Sequence, residues 1–163
     1  MPEIKLSGKN GGVALVDEDD CARVRAHRWW GTGHVERRYV MGTVSANERP
    51  ISLHHFILGR PPKGFIVDHI NGNPSDNRRA NLRFCRHSEN MKNRRKSRAS
   101  MSPYKGIWLQ RNTGAWRVQI ECDGTRIDLG TFKDAEAAAR QYDRAARVFH
   151  GEFARTNAML GLL

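Results

Sequence analysis

The sequence predicts an α+β protein built from two small modules, and three observations carry that prediction. Residues 104–129 alternate apolar and polar in three short runs separated by turn signals, and helical spacing follows from Asp134 to His150. That pattern is a small three-stranded antiparallel sheet packed on one helix. Upstream, residues 1–50 read as strands and turns with one short helix. Between the two lies a polar stretch, Asp68 to Asn90, that starts on an apolar run and ends in a segment able to carry a helix.

A chain of 163 residues has room for one ordinary domain or two small ones with thin cores. The formal charge of +11 and pI near 10.3 favour a polyanionic partner, either nucleic acid or an anionic membrane. No apolar run approaches membrane-spanning length and the N-terminus lacks a secretory signal, so the expected partner is nucleic acid and not a membrane. Cys21, Cys85 and Cys122 are widely spaced, odd in number and form no CxxC pair. They indicate neither a disulfide framework nor a structural zinc, and fit packed or surface thiols in a reducing cytoplasm.

Taken in order, Ile4-Lys5-Leu6 alternates, Gly11-Gly12 marks a turn and Val13-Ala14-Leu15-Val16 suits a buried strand. Asp17, Glu18, Asp19 and Asp20 open a helix, where acidic side chains meet the positive end of the helix dipole. Trp29 and Trp30 read as core and hairpin packing. His34 to Val40 alternates like a strand, with Arg37 and Arg38 either touching phosphate or lining a solvated edge. Ile51 to Leu58 is a short apolar segment expected to pack on the hairpin that follows, and Gly59 to Gly64 is a turn-rich joint.

Asp68 and His69 follow the apolar run Phe65-Ile66-Val67. An Asn-Gly-Asn-Pro run after them is a turn before it is anything else. The stretch nevertheless combines a His that can take a proton, a carboxylate beside it and amides at fixed later positions. A phosphodiester hydrolase using one metal ion needs that set: a base for water, and oxygen ligands for a divalent cation. The carboxylate of Asp68 and the amide oxygen of Asn90 leave room for water and phosphate around Mg²⁺, whereas zinc prefers His and Cys. On a strand Asp68 and His69 face opposite ways, so a turn or bulge at the strand end is required for both to meet one phosphate. His87 lies one turn before Asn90 on the expected helix, as a DNA contact or a neighbour of the metal.

The run VDHINGNPSDNRRANLR closely resembles the HNH endonuclease family, in the branch found in phage and intron-borne homing enzymes. The resemblance implies a ββα-metal module, a hairpin followed by a helix with the metal between them. It implies His69 as general base, Asn81 as the residue that braces the loop and orients His69, and Asp68 and Asn90 as ligands of Mg²⁺ or another divalent cation such as Mn²⁺. Asp76 and Asn77 look like loop-stabilising residues. His54 falls where the family commonly has a Leu-His pair, and either braces the site or approaches it. Residues 1–50 loosely resemble the leader module that precedes this type, which places the nuclease core at 51–93.

After Asn90 the charge rises through Lys92, Arg94, Arg95, Lys96 and Arg98, which reads as a helix end running into a basic linker, 94–102, able to track phosphates. In the last module, 103–158, Ile107, Leu109, Val118, Ile120, Ile127 and Leu129 form the face that buries against the helix. The opposite face carries Trp108, Gln110, Arg117, Gln119, Glu121, Arg126 and Asp128, either an ordinary polar face or one that enters a DNA groove. Tyr104 to Ile107, Gly114 to Trp116, Arg126 to Phe132 and Ala137 to Ala146 resemble the plant Apetala / ethylene-response-factor DNA-binding domain. By that resemblance Arg126 is the leading base or phosphate contact, with Lys105, Arg111 and Arg117 behind it. Asp128 stands where a DNA-contacting Trp is usual and Trp108 where an Arg is usual, so the plant target cannot be transferred.

The sequence thus predicts a metal-dependent endonuclease acting on double-stranded DNA as a monomer or homodimer, phage-encoded and working in the cytoplasm of a bacterial host. The alternative is a DNA-binding transcription regulator with a decayed nuclease module; a DNA-packaging accessory protein is a third.

Overall fold

The computed structural model describes residues 2–8, 11–33, 39–45, 48–97 and 100–163. They form two compact units, residues 1–87 and 88–163.

The first unit opens with an antiparallel pair, β1 (Glu3–Lys5) and β2 (Val13–Leu15). Ala14 and Val16 are buried while Val13 is 40% exposed, so this run is a half-buried strand and not the wholly buried one its apolar content suggested. The acidic cluster starts α1 (Glu18–Arg25), with Asp17 in the N-cap position. Strands β3 (Arg28–Thr32), β4 (Tyr39–Thr43) and β5 (Ile51–Ser52) make an antiparallel sheet in the order β3-β4-β5. The expected strand through His34 is described only from Tyr39 onward; Arg37 and Arg38 lie outside the described residues. Trp29 is buried and its indole N–H donates to the Val24 carbonyl at 2.8 Å. Its ring lies over Gly42 on the neighbouring strand, where any Cβ would collide with it.

Helix α2 (Leu53–Leu58) leads through the Gly/Pro joint into a hairpin of β6 (Phe65–His69) and β7 (Leu82–Arg86). One core joins these parts: Ile4, Val16, Val24, Trp29, Val40, Leu53, Ile57 and Leu82 form a single buried cluster. The early strands therefore share their hydrophobic support with the hairpin. Helix α3 (His87–Lys92) follows β7 directly, and the boundary between the units falls after its first residue.

The second unit is an antiparallel sheet of β8 (Ile107–Gln110), β9 (Ala115–Cys122) and β10 (Thr125–Phe132), in the order β10-β9-β8, with α4 (Ala135–His150) against it. Asp123 and Gly124 turn the β9–β10 hairpin with φ of 49° and 80°, as a two-residue primed turn requires. Strand β10 runs past its expected end at Leu129 because the register shifts between Asp128 and Thr131, a bulge centred on Gly130 with φ 99°. Asp134 caps α4 by accepting the Ala137 N–H at 2.7 Å. Ile107, Val118 and Ile120 bury against Ala138, Tyr142, Ala145 and Ala146, with Ile127 and Leu129 packed around them. Leu109, expected on the buried face, is 45% exposed, because it sits on edge strand β8 opposite half-buried Trp116.

The small alanines bring α4 close to the sheet, and Gly106 is the tightest point. Its φ is 78°, and an added Cβ would penetrate the Tyr142 ring. Gly106→Ala is expected to destabilise the second unit by about 3 kcal/mol, from overpacking together with a left-handed backbone. Amide exchange across β9 checks this, and protection within threefold of the parent contradicts it.

Candidate active site

The site is built on the end of the β6–β7 hairpin and the loop that closes it. Pairing runs without interruption from Phe65 opposite Arg86 to His69 opposite Leu82, so there is no bulge between Asp68 and His69. The two side chains leave opposite faces of the hairpin, and the chain turns immediately afterwards, with Gly72 N–H donating to the His69 carbonyl at 2.7 Å. Regular register also sets Arg83 opposite Asp68. Its guanidinium donates to Asp68 Oδ2 from Nε at 3.0 Å and from a terminal nitrogen at 2.9 Å. Both are well buried, Arg83 at 12% and Asp68 at 6% exposure.

The loop from Ile70 to Asn81 is held by side-chain amides. Asn81 accepts the Asn71 N–H at 2.9 Å and donates to the Asp76 carbonyl at 2.7 Å and to Asn71 Oδ1 at 3.1 Å. Its backbone carbonyl accepts the N–H of Ile70, the residue after His69, at 2.9 Å. Asp76, 2% exposed, receives Arg78 Nε at 2.7 Å and Asn71 Nδ2 at 2.8 Å. Arg78 holds its carboxyl below the usual carboxylate range, against the opposing effect of burial. The loop is also fastened to β2 and α1: Leu15 exchanges backbone hydrogen bonds with Ser75 and Asn77, both at 2.8 Å. Asp17 accepts the Arg79 N–H at 2.7 Å, and Asp20 accepts Arg79 Nε at 2.9 Å. Burial pushes the Asp20 carboxyl up, but bonds from Arg79 and Arg23 outweigh it and leave it below its ordinary value.

His69 is 5% exposed. Its Nε2 lies 3.4 Å from Asn77 Oδ1, and Asn77 Nδ2 donates to the Pro74 carbonyl at 3.1 Å, which fixes the oxygen of that amide toward the imidazole. An amide oxygen only accepts, so this contact puts the proton on Nε2 and the lone pair on Nδ1. The His54 ring meets that of His69 edge-on at 5.3 Å between centroids, and Tyr39 lies 6.1 and 6.4 Å from the two rings. Ser52 Oγ bridges His54 Nε2 at 3.0 Å and His55 Nδ1 at 2.8 Å. Burial pushes the His54 imidazole down to about 3, with His55 and His69 adding to the effect. Burial also lowers His69, opposed by Asn77, Asp68 and Asp76. Both are neutral at pH 7.

The structure thus brings Asp68, His69, Asn77, Asn81 and His54 to one end of the first unit. Tyr39, Ser52, His55, Asn71, Arg79 and Arg83 belong to the same neighbourhood and are not apparent in the sequence; only the doubled His54-His55 hinted at any of them. His87 is exposed at the start of α3, and Asn90 is half-buried on the same helix, within the second unit. Among the described residues no three His, Cys, Asp or Glu side chains cluster in a way that could hold a metal ion. A carboxylate, an amide oxygen and water suit Mg²⁺, and the Asp68 carboxylate is shared with Arg83.

On the sheet of the second unit, Arg126 is 77% exposed with Glu121 4.0 Å away. Arg117 is paired with Asp128, bonded from Nε at 3.0 Å, and lies 6.0 Å from the Trp108 ring centroid. Arg111, Arg94 and Arg95 are exposed. Lys105 turns inward: its ammonium donates to the carbonyls of Lys92, Arg94 and Arg155 at 3.1, 2.7 and 3.1 Å.

A hairpin carrying an Asp-His pair, an amide-braced loop and a following helix define a nuclease module of the HNH class, and the family described as HNH endonuclease matches residues 56–92. Protein 3.8 of Escherichia phage T7 is 32% identical over 110 residues, covering 68% of this chain and 90% of the phage protein. The chain belongs to the HNH endonuclease family. It is also 44% identical over 70 residues to an AP2-like ethylene-responsive transcription factor of Arabidopsis thaliana, covering 43% of this chain and 14% of that protein. A putative AP2/ERF and B3 domain-containing protein of Oryza sativa subsp. japonica is 54% identical over 56 residues, 34% of this chain and 17% of its own length. The chain therefore spans only a small part of those plant proteins. No solved structure matches it.

Removing Arg83 leaves a buried carboxylate without its cation. Arg83→Met is expected to destabilise the first unit by about 3–5 kcal/mol. Urea unfolding checks this; a loss under 1 kcal/mol means that water reaches Asp68 freely.

Proposed function

We propose that the protein is a metal-dependent endonuclease that hydrolyses phosphodiester bonds of double-stranded DNA, with the second unit selecting where it cuts. The observation that carries this reading is a neutral, buried imidazole whose lone pair is directed to Nδ1 by Asn77, in a chain of the HNH endonuclease family.

In this reading His69 takes the proton from the attacking water at Nδ1 while Nε2–H stays on Asn77. Asn81 is a positioning residue: it fixes the backbone on both sides of the loop and so sets where the imidazole points. His54, edge-on to His69 and held by Ser52, braces that face of the ring. Asp68 and Asn90 would hold a divalent cation, Mg²⁺ or Mn²⁺, whose charge stabilises the crowded phosphate and the leaving oxygen. Arg83 holds the Asp68 carboxylate in a set orientation. Arg126, Arg111 and the Arg117–Trp108 face meet DNA, with Arg94 and Arg95 contributing phosphate contacts. One nuclease module per chain makes a nick by a monomer the simplest event, and a homodimer cuts both strands. Likeness to a phage protein supports a phage-encoded, homing-type enzyme acting in the cytoplasm of a bacterial host.

A second reading, a DNA-binding regulator without catalysis, is favoured by one observation: the Asp68 carboxylate is paired with the Arg83 guanidinium. Supercoiled plasmid with Mg²⁺ separates the two. The parent is expected to give nicked circles sensitive to chelator, and His69→Ala to lose at least about a hundredfold in rate with DNA affinity unchanged. A His69→Ala protein that cuts like the parent removes His69 as the base. Binding by the parent without cleavage supports the regulator.

The depressed His69 pKa gives the sign of the pH dependence. The base is active when neutral, so activity is lost only as pH falls through a value below the ordinary 6.5. A rate profile whose acid limb lies at or above 6.5 contradicts the assignment.

A further inference from the structure

The basic stretch after α3 reads in sequence as a linker, yet its first part is fastened to the recognition sheet at two separate points, and both involve Lys92. Lys92 Nζ lies 3.2 Å from Asp123 Oδ1 in the β9–β10 turn. The Lys92 carbonyl, among the last of a short helix and so without an intrahelical partner, accepts from Lys105 Nζ at 3.1 Å. The same ammonium takes the Arg94 carbonyl at 2.7 Å and the Arg155 carbonyl at 3.1 Å, and lies 5.9 Å from the Tyr142 ring centroid. Three donors meet three carbonyls, the full capacity of an ammonium. Burial pushes the Lys105 amine down to about 8, aided by Arg155 and opposed by Asp143, so it keeps all three hydrogens at neutral pH.

The base of this contact is itself fixed. The Lys105 N–H donates to Asn157 Oδ1 at 2.7 Å and the Lys105 carbonyl accepts Asn157 Nδ2 at 3.2 Å. Asn157 is fully buried, and Asp143 Oδ1 accepts its backbone and side-chain N–H at 2.7 and 2.9 Å. Asn93, between the two clamped carbonyls, is 7% exposed. Thus Lys105, backed by Tyr142 of α4 and by Arg155 and Asn157 of the C-terminal segment, holds the end of the helix that carries Asn90.

We propose that Lys105 is a positioning residue that sets the register between the recognition sheet and the Asn90-bearing helix, both within the second unit, and so through Asn90 influences which phosphodiester bond is cut. The chain from Asn90 to Arg94 is thereby tied to the sheet at Asp123 and Lys105. This rests on the nuclease reading for its consequence at DNA, while the clamp itself does not.

The experiment compares the parent, Lys105→Met and Lys105→Arg as full-length proteins by two readouts. Amide exchange needs no activity: Lys105→Met is expected to speed exchange of residues 92–97 about tenfold, roughly one hydrogen bond's worth of protection, with β9 and α4 unchanged. Primer extension on supercoiled plasmid cleaved with Mg²⁺ gives the second readout. The parent is expected to cut one phosphodiester bond at each preferred site, and Lys105→Met to spread its cuts over several neighbouring bonds at a total rate within about threefold of the parent. Lys105→Arg, which keeps the charge and several donors, restores both. Unchanged exchange at 92–97 overturns the clamp, as does acceleration that extends over β9 and α4, the mark of a merely structural residue. Faster exchange with unchanged cut positions overturns the register role. A parent that cuts no DNA removes the nuclease reading and the register role with it, while the exchange comparison still decides the clamp.

Discussion

The buried carboxylate of Asp76 is the constraint on which the first unit depends. At 2% exposure an unpaired charge would cost several kcal/mol, so the loop must supply partners, and every partner it supplies fixes part of the backbone. Arg78 and Asn71 bind the carboxylate, Asn81 binds Asn71 and the Asp76 carbonyl, and Asn77 follows next in the chain and meets His69. A loop of twelve or so residues without regular structure is ordinarily mobile. Here its polar side chains replace a hydrophobic core, and the result is an imidazole held in one tautomer. The second anchor, Asp20 to Arg79, ties the loop to α1, so the early helix supports the site from outside the loop.

Much of this architecture was legible in the sequence because it depends on local signals. The Asp123-Gly124 hairpin, the Asp134 cap, the acidic opening of α1 and the alternation of β9 are each decided within a few residues, and each formed where expected. What escaped depended on partners distant in sequence. Arg83 faces Asp68 only because the hairpin register sets position 68 against 83. Tyr39 reaches His54 and His69 through the pairing of β4 with β5, and Leu109 stays exposed because β8 is an edge. The bulge at Gly130 lengthened β10 in a way that alternation up to Leu129 could not reveal. In the candidate site, the residue types were readable and their hydrogen-bond partners were not.

The same distinction applies to charge. A formal excess of +11 suggested a surface built for phosphate, but a count of cations ignores where they point. Arg78, Arg79 and Arg83 satisfy buried or half-buried carboxylates, Arg23 joins Arg79 on Asp20, and Lys105 is committed to carbonyls. Arg117 is shared with Asp128. These cations build the fold, and counterion release on DNA binding would come from the others. On the sheet, Arg126 is 77% exposed, and Arg111 is exposed in the turn between β8 and β9.

Asp128 changes what that face can read. Where Arg117 would otherwise be a freely rotating cation, the carboxylate and the Trp108 ring hold its guanidinium in a set orientation. An oriented guanidinium loses less entropy on contacting a base edge than a free one, at the cost of net charge. The two departures from the plant pattern, Trp108 and Asp128, therefore act on one residue between them. The Arg117 register positions place it opposite Trp108 on one side and Thr131 on the other, across the bulge at Gly130. Asp128 pairs with Gln119, two residues along from Arg117 on the same face, which is why the Arg117–Asp128 ion pair is diagonal. The ion pair and the aromatic ring together fix Arg117 on the outer face of the sheet, where Trp108 and Asp128 depart from the plant pattern.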